Sequence, residues 1–552
     1  MLNPEQPDPL PPYNLEPDSS ESASEGESSH SGETPEPMDH EDSTAANNLD
    51  EAGAEVETHV HCRGHTKKSK EKSEFEPNDA VDHFELWSSD VTSPDEDDDM
   101  EGTRSSPAHK LTESWTDTPK QENIIPLKFK GTEGIINLDM GRKYSALECF
   151  KLFVDDDIIH MMVRETNKNA RANFIRYGYH EDFLSGWLDV TFKEMTQFLG
   201  IVIFMAFKRL PETSSYWSTE RLYFNSVACR VFTQTRFHRI LTYWHFGNDG
   251  TRCVYAKLNP LLAKLNENFR KYKIPGDILY VGRTTCYLRN KYIFEPIPQD
   301  ITKKGSKILK VMDQDIYTYK IKVLPPEVSS NRIRRTTNNT LDLLADYMDQ
   351  GRLIIFHNIY ISLHLARELL RRQCHSIGMI RKNSRGTPKE IETKPLQDGD
   401  LIGYQNSKGI SVLKWQLLGA PYHGVSTCHT LETIPVQRYV RNYLDNGTTQ
   451  EEEQIPKYLK DISLSEKIFD AYEKFSINTS PLNEHVKWYQ RLACDAIVNT
   501  ATINALILYK QLNKEKIKMW DFRDRLFREL VDIKQLPNIS SDEEMEEPDL
   551  ED

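Results

Sequence analysis

The spacing of apolar positions changes near residue 275, and this change divides the chain into a helical part and a strand-rich part. From Ser145 onward, apolar side chains recur every three or four residues, which is the spacing of one helix face. The longest such stretch, Leu188–Phe207, predicts a buried helix that is too short and too interrupted to cross a bilayer. Phe232–Trp244 and Leu258–Tyr272 predict two more, so residues 140–272 are expected to be mainly helical.

Beyond Pro275 the apolar residues come in short runs or alternate with polar ones, which is the pattern of strands. Leu353–Phe356 is entirely apolar, as is typical of a central strand buried on both faces. The elements predicted in this part are a strand at Ile278–Val281, a strand–turn–strand unit at Lys307–Val323, the strand Leu353–Phe356, and helices at Leu341–Met348 and Leu363–Arg372.

The stretch 376–440 is rich in turn residues and predicts an all-β insert between two parts of a mixed α/β core. Amphipathic periodicity then resumes and continues almost to the end of the chain. The elements predicted here are short strands at His375–Ile380 and Ile410–Trp415 and helices at 464–474, 486–511 and 519–533.

Charge separates the chain differently. The net charge of −16 conceals 31 acidic and 8 basic residues in 1–120, and 8 acidic and no basic residues in 537–552, which leaves a body with a net charge of +15. The acidic ends are poor in aliphatic residues, so they cannot bury enough apolar surface to offset their conformational entropy, and we expect them to be disordered. A basic body indicates a polyanionic partner.

Composition excludes several classes of protein. No apolar run reaches the ~18–20 residues of a membrane span. The acidic, proline-rich start lacks the basic and apolar regions of a secretory signal. The eight cysteines include no CxxC pair, which favours a reducing compartment over a disulfide scaffold.

Two features of the N-terminal tail carry candidate chemistry. His59, His61, Cys62 and His65 have the side chains of a zinc site, but no second ligand pair follows at the spacing of a zinc finger, so a chance cluster is the stronger interpretation. Lys67–Lys70 is either a nuclear import signal or a solvated run of charge.

Several motifs in the body occur together in one order. They are Phe150–Phe153, Glu165-Thr166-Asn167, Trp187–Gly200 (WLDVTFKEMTQFLG), Tyr216-Trp217-Ser218, Arg236-Phe237 through His245-Phe246, Lys303 with Gly305 and Lys307, Lys487-Trp488-Tyr489, and Asn504 through Lys510. In this order and spacing they resemble the piggyBac family of cut-and-paste DNA transposases, and in particular its domesticated, transposable element-derived members.

The resemblance implies an RNase H-like α/β core interrupted by a β-rich insertion, preceded by a helical domain and flanked by long disordered acidic termini. It also implies carboxylates that hold two divalent metal ions for attack on a phosphodiester. The expected domains are a disordered tail at 1–125, a helical domain at 126–272, the first part of the core at 273–374, the insertion at 375–456, the second part of the core with the C-terminal helices at 457–535, and an acidic tail at 536–552.

Two of the family's metal-binding aspartate positions carry other residues. The counterpart of the first aspartate is Gly282, which has no ligand atom, and Arg283 follows it with a fixed positive charge. The counterpart of the second is His357, and imidazole is a poor ligand for Mg²⁺. We therefore expect His357 to have a structural role.

An ungapped count from Pro456 places Asp470 and Glu473 on the family's remaining acidic positions. Their flanking signature is absent, because Lys467-Ile468-Phe469 stands where the family has Gly-Gly-Val, so ordinary helix carboxylates are the favoured interpretation. A two-metal centre cannot be built from these two side chains alone. The prediction is a protein without strand-transfer activity and without a cofactor.

The expected function is that of a catalytically inactive, nuclear DNA- or chromatin-associated protein. Alternatives are a protein-interaction scaffold without DNA binding and a residual metal-dependent nuclease. DNA or chromatin is the expected partner, with proteins that contact the acidic tails and a homodimer as further candidates and no membrane. The residues predicted to contact DNA are Arg332, Arg334, Arg335, Arg371, Arg372, Arg381, Lys382 and Arg385.

Overall fold

The structure is a computed structural model, and its described residues all lie within one compact unit, 74–552. They are 114–176, 187–218, 226–250, 255–286, 306–324, 332–417, 419–442, 447–476, 486–532 and 534. The zinc candidate His59, His61, Cys62 and His65, the lysine run and the C-terminal acidic tail lie outside the described residues.

A group of helices forms the first part of the described chain, as predicted. The helix expected from Leu188 begins only at Phe192, because Thr191 caps it and exchanges hydrogen bonds with Glu194 in a capping box. Its apolar face and the helices around it share one hydrophobic core with the rest of the body. The α-helices of this part are Ala146–Lys151, Asp156–Arg176, Phe192–Phe207, Ser226–Val231, Gln234–Tyr243 and Asn259–Lys271.

A nine-stranded mixed sheet forms the centre of the body, with the order β1-β9-β10-β11-β8-β7-β4-β5-β6. Strands β4, β7 and β8 are parallel to one another, and every other neighbouring pair is antiparallel. The strands of this sheet are β1 Trp115–Thr116, β4 Ile278–Cys286, β5 Ser306–Met312, β6 Thr318–Val323, β7 Leu353–Tyr360, β8 His375–Met379, β9 Leu401–Asn406, β10 Ser411–Leu417 and β11 Ala420–Ser426. The two short strands β2 Gly134–Ile135 and β3 Lys273–Ile274 form a separate antiparallel pair.

Helical crossovers join the parallel strands, which is the usual way to connect neighbours that run in the same direction. Arg332–Leu344 and a short 3₁₀ turn, Ala345–Tyr347, precede β7, and Leu363–Arg371 leads from β7 to β8. The first of these helices begins earlier than the predicted Leu341. The predicted apolar run is the first half of β7, which continues through His357 to Tyr360.

The strands of the predicted insert do not form a separate sheet. β8 lies beside β7 in the central sheet, and β9, β10 and β11 extend that sheet from β8 to its far edge. The core sheet therefore continues across the boundary expected at residue 375. A second, antiparallel pair stands apart from it, with strands β12 Thr433–Asn442 and β13 Gly447–Pro456.

The edge strand β1 corrects the expected extent of the N-terminal tail. Trp115 and Thr116 pair with β9, and the Gln405 side-chain oxygen accepts hydrogen bonds from the Lys120 amide and from Asn123 Nδ2, each at 2.9 Å. Trp115 also packs against the hydrophobic core, so apolar and polar contacts together hold this segment to the sheet. Residues 114–125 were expected to belong to the disordered tail, and these contacts instead join them to the sheet.

One long helix, Lys457–Phe475, lies against β7 and β8 and is called the covering helix here. It begins seven residues before the predicted start at residue 464. Beyond it, a helical stretch at Trp488–Asn513 is long and apolar enough to span a membrane, yet 89% of its most apolar window is buried inside the protein, as in a core helix. That stretch consists of the helix Trp488–Cys494, a π-helical segment Asp495–Ala501 and the helix Thr502–Asn513; the helix Met519–Leu530 follows it.

Candidate functional site

Gly282 and His357, the two residues expected at the family's aspartate positions, lie side by side in the sheet. Gly282 on β4 is the register partner of His357 on the parallel strand β7. On its other side Gly282 pairs with Lys310 of β5. Because residues paired across a sheet present their side chains to the same face, these three residues form one row beneath the covering helix.

Phe469 of the covering helix fills the space above Gly282. If Gly282 carried a Cβ atom, even the farthest of three Phe469 ring carbons would lie only 2.5 Å from it. The same ring is stacked on the imidazole of His357, with 4.6 Å between ring centroids and 11° between ring planes. The ring of Phe469 is therefore packed where side chains from Gly282 and His357 would otherwise meet.

His357 is a neutral, packed side chain. Burial lowers its pKa to about 3, because the imidazolium would lose its hydration. Its Nε2 lies 2.8 Å from Asn358 Nδ2, an amide donor, so this nitrogen accepts the hydrogen bond and carries no proton. Asn358 adopts a left-handed backbone, with φ of 52°.

A buried lysine stands beside this pair. Lys310 Nζ donates to the Tyr472 hydroxyl, to Asp495 Oδ2 at 3.1 Å and to Thr500 Oγ1 at 3.2 Å. Burial lowers the pKa of Lys310, but the Asp495 charge and the bond to Tyr472 outweigh it, so that the pKa is raised. One fixed ammonium charge thus occupies the row next to Gly282.

The acidic candidates lie on the covering helix, together with a carboxyl group that the sequence did not single out. Asp470 is half-buried, and Glu473 is exposed. Glu466, one helical turn before Asp470, has its pKa raised to about 8 by burial and by the Asp470 charge. Its Oε1 is buried without a hydrogen-bond partner among the described residues. The i, i+4 spacing from Asp470 is the signal that points to Glu466.

These donors do not fit the metal pair that the family resemblance implies. Hard divalent cations need carboxylate oxygens as ligands. The row in the sheet offers instead Gly282, the neutral buried imidazole of His357 and the ammonium group of Lys310. Within the described part of the chain, no group of three or more histidine, cysteine, aspartate or glutamate side chains is placed to hold a metal ion.

The predicted basic contacts fall into three places. The side chains of Arg332, Arg334 and Arg335 lie outside the described residues, although their backbone belongs to a helix. Arg371 pairs with Glu368 at 3.1 Å, and Arg372 forms a bidentate pair with Asp349, with the shortest distance at 2.6 Å. Arg381, Lys382 and Arg385 lie in the turns that follow β8, and the last two are exposed.

This third group adjoins an exposed aromatic ring. The Arg381 guanidinium lies 5.4 Å from the centre of the Tyr360 ring, and Tyr360 is 39% exposed. Burial raises the pKa of Tyr360, against the charges of Arg381 and Arg283. Arg283 is exposed on β4 and was identified in the sequence only as a change of sign, not as part of a basic surface. We call Arg283, Tyr360, Arg381, Lys382 and Arg385 the basic edge.

Comparison with known proteins agrees with this architecture. Residues 145–506 match the family model described as Transposase IS4. The human PiggyBac transposable element-derived protein 5 is 23% identical over 433 residues, which cover 74% of this chain and 79% of that protein. The human PiggyBac transposable element-derived protein 2 is 26% identical over 148 residues, or 26% of this chain and 23% of that protein.

A solved structure shares the fold. The cryo-EM structure of a piggyBac transposase synaptic complex with hairpin DNA superimposes with a TM-score of 0.59 at 18% identity, over 74% of this chain and 86% of that one. The resemblance drawn from the sequence motifs is thereby confirmed, and so is the mixed α/β fold class. With a family match across well over half of its length, the chain belongs to the piggyBac transposase family.

Proposed function

We propose that this protein is a transposase-derived DNA- or chromatin-binding protein of the nucleus that performs no strand transfer. The observation that carries the proposal is the ring of Phe469, which is packed on both Gly282 and His357. A dication held between β4 and β7 would need this same space, and neither residue offers it an oxygen ligand.

The order of the central strands supports an RNase H-like origin of the core. β6, β5 and β4 form an antiparallel unit, and β7 and β8 extend it in parallel beyond β4. In an open sheet with helical crossovers, ligands bind at the carboxyl ends of the parallel strands. The basic edge lies toward those ends, because Tyr360 is the last residue of β7, Arg381 follows the end of β8 by two residues, and Arg283 lies in the second half of β4.

The basic edge has the chemistry of a nucleic-acid surface. Lysine and arginine neutralise phosphates and release counterions, and such binding is strongly salt-dependent and only weakly selective for sequence. Arg371 and Arg372 differ from this group, because they end the helix that precedes β8 and so lie toward the amino ends of the parallel strands. We therefore assign DNA contact to the basic edge rather than to these two arginines.

Binding is tested with the full chain and a random duplex, by fluorescence anisotropy at several salt concentrations. The variant Arg381→Ala/Lys382→Ala/Arg385→Ala is expected to bind at least tenfold more weakly, and the slope of log affinity against log salt should fall by about 3, or ~0.9 for each lost contact. Arg371→Ala/Arg372→Ala is the matched control and should bind like the wild type. Binding that is absent at low salt would favour the interaction scaffold instead.

Catalysis is tested on hairpin and nicked duplex substrates with Mg²⁺ or Mn²⁺. The expected result is no cleavage above a protein-free control. Cleavage that disappears in Asp470→Asn would show that the covering helix retains an active carboxylate, and the residual nuclease would then be the correct description.

A further inference from the structure

A cysteine, a histidine and an aspartate meet away from the degenerate centre. The turn after β11 contains Ser426, Cys428 and His429, and it faces Asp461 in the first half of the covering helix. The His429 side chain is only 5% exposed, Asp461 is 31% exposed and Cys428 is partly exposed. Reagents in solution therefore have access to the thiol, while the imidazole is held in the interior.

Both ring nitrogens of His429 are engaged. Nε2 lies 3.2 Å from Asp461 Oδ2, and on the other side Nδ1 lies 3.0 Å from Ser426 Oγ and 3.5 Å from Cys428 Sγ. Asp461 accepts from Nε2, so the ring is anchored by a carboxylate while its other nitrogen faces a thiol. Burial lowers the pKa of His429, but the bonds to Asp461 and Cys428 more than offset this, and the pKa is raised to about 9.

This arrangement is not a serine hydrolase triad. Ser426 is fully buried, and its oxygen accepts hydrogen bonds from the backbone amides of Cys428 and His429 at 3.2 and 3.0 Å. A doubly protonated His429 cannot remove a proton from a hydroxyl group. The serine thus stabilises the turn, and the side chain with chemistry available to it is the thiol.

The other described cysteines have surroundings that disfavour a thiolate. Burial raises the pKa of Cys149, Cys286 and Cys494 to about 12 in each case. Burial also raises the pKa of Cys374 and, although its side chain is exposed, of Cys229. Cys428 is the described cysteine that lies against a histidine ring anchored by a carboxylate, with its Sγ 3.5 Å from His429 Nδ1. A histidine beside a thiol is the arrangement of reactive cysteines.

We propose that Cys428 is a site of reversible oxidation by hydrogen peroxide, with His429 as the proton donor. The Cys428 thiolate attacks one oxygen of hydrogen peroxide, and an S–O bond forms as the O–O bond breaks. The sulfur is thereby oxidised by two electrons to a sulfenic acid, and the peroxide is reduced. The departing hydroxide takes the Nδ1 proton and leaves as water. His429 becomes neutral in this step.

The reaction has a structural consequence. The oxidised sulfur carries no negative charge beside the imidazolium, so His429 holds its proton, and with it the ion pair to Asp461, less firmly. This ion pair joins the turn after β11 to the covering helix. That helix also carries Phe469 and Tyr472, which cover the sheet at Gly282 and Lys310. Oxidation at the partly exposed thiol would therefore loosen the helix that closes the degenerate centre.

The test uses the full chain, hydrogen peroxide and dimedone, which traps sulfenic acids, with peptide mass spectrometry as the readout. Cys428 is expected to be trapped at least tenfold faster than the exposed Cys229 in the same molecule. His429→Gln should remove most of that difference. His364→Gln, at an exposed histidine, is the matched control and should react like the wild type.

Asp461→Asn is a second variant that leaves the imidazole in place. It removes the charge that anchors His429, and the Cys428 rate is expected to fall several-fold while the near-UV circular dichroism stays that of the wild type. Equal trapping of Cys428 and Cys229 in the wild type would overturn the proposal. So would an unchanged Cys428 rate in a folded Asp461→Asn or His429→Gln variant.

Discussion

The packing of Phe469 on Gly282 can be measured by a double-mutant cycle. Gly282→Ala places a Cβ atom inside the volume of the Phe469 ring, at 2.5 Å or less from three of its carbons. Overpacking of this kind costs about 1–3 kcal/mol, because the ring or the strand must move. Phe469→Ala removes a side chain that is only 2% exposed, and this costs about 3–5 kcal/mol.

The double variant should lose less stability than the sum of the losses in the two single variants. In Gly282→Ala/Phe469→Ala the new methyl group enters the cavity that the lost ring leaves, so the overpacking penalty disappears and part of the cavity is filled. The coupling energy is therefore expected at about 1–3 kcal/mol in favour of the double variant. A variant pair without contact would add within about 0.5 kcal/mol.

Urea unfolding followed by near-UV circular dichroism gives the four free energies of unfolding. Gly141→Ala is a suitable control, because a Cβ atom there would meet nothing closer than Asp139 Oδ1 at 3.3 Å, and its stability should match the wild type. Additive effects of the two substitutions would refute the packing argument. An Asp at residue 282 is expected to destabilise more than Ala, since it adds a buried carboxylate.

Three further predictions concern buried charges. The pKa of Glu466 is raised from 4.5 to about 8 in the folded protein, so its contribution to stability is present below pH 4.5 and is lost as the pH rises to about 8. Glu466→Gln should therefore raise the free energy of unfolding, measured with urea, by on the order of 1–3 kcal/mol at pH 8 and leave it unchanged at pH 4. The pKa of His429 is also raised, so the stabilisation by its pair with Asp461 is complete below pH 6.5 and is lost as the pH rises through about 9. The difference in melting temperature between the wild type and His429→Gln should therefore shrink between pH 6 and 10, and a constant difference would contradict this role of the pair. Lys310→Met leaves the Asp495 carboxylate, whose side chain is only 15% exposed, without the ammonium group that it pairs with, and should lower the free energy of unfolding in urea by about 3–5 kcal/mol. Lys322→Met, in a more exposed pair, should lower it by at most about 1 kcal/mol, and equal effects of the two substitutions would contradict a buried charge interaction at Lys310.

The sequence predicted the elements of the body better than the contacts between them. Leu353–Phe356 was identified as a central strand because a strand covered on both faces must be apolar along its whole length. The helix before β7 was predicted too short, since its first turns, from Arg332, are polar and carry little apolar periodicity. The local pattern also gave no sign of the short edge strand at Trp115, because this strand depends on contacts with distant residues, namely its pairing with β9, the Gln405 side chain and the hydrophobic core.

At the candidate site, sequence comparison located Gly282 and His357, and the structure places them in adjacent strands. The sequence did not show which side chains pack around Gly282 and His357. Phe469 appeared in the sequence only as part of a lost glycine motif, and Lys310 as one residue of a predicted strand. Their roles depend on how a helix some 160 residues away along the chain packs on the sheet, which a one-dimensional pattern does not contain.

The packing of Phe469 also constrains how this gene could change in the future. An aspartate substituted at Gly282 alone would force a side chain into a volume that is already filled, and one substituted at His357 alone would leave a buried carboxylate against an aromatic ring. Each single substitution therefore lowers the stability of the fold before a pair of carboxylates is complete. Phe469 would have to be replaced by a smaller residue first, at its own cost in stability, so the order in which carboxylates could appear at these two positions is restricted.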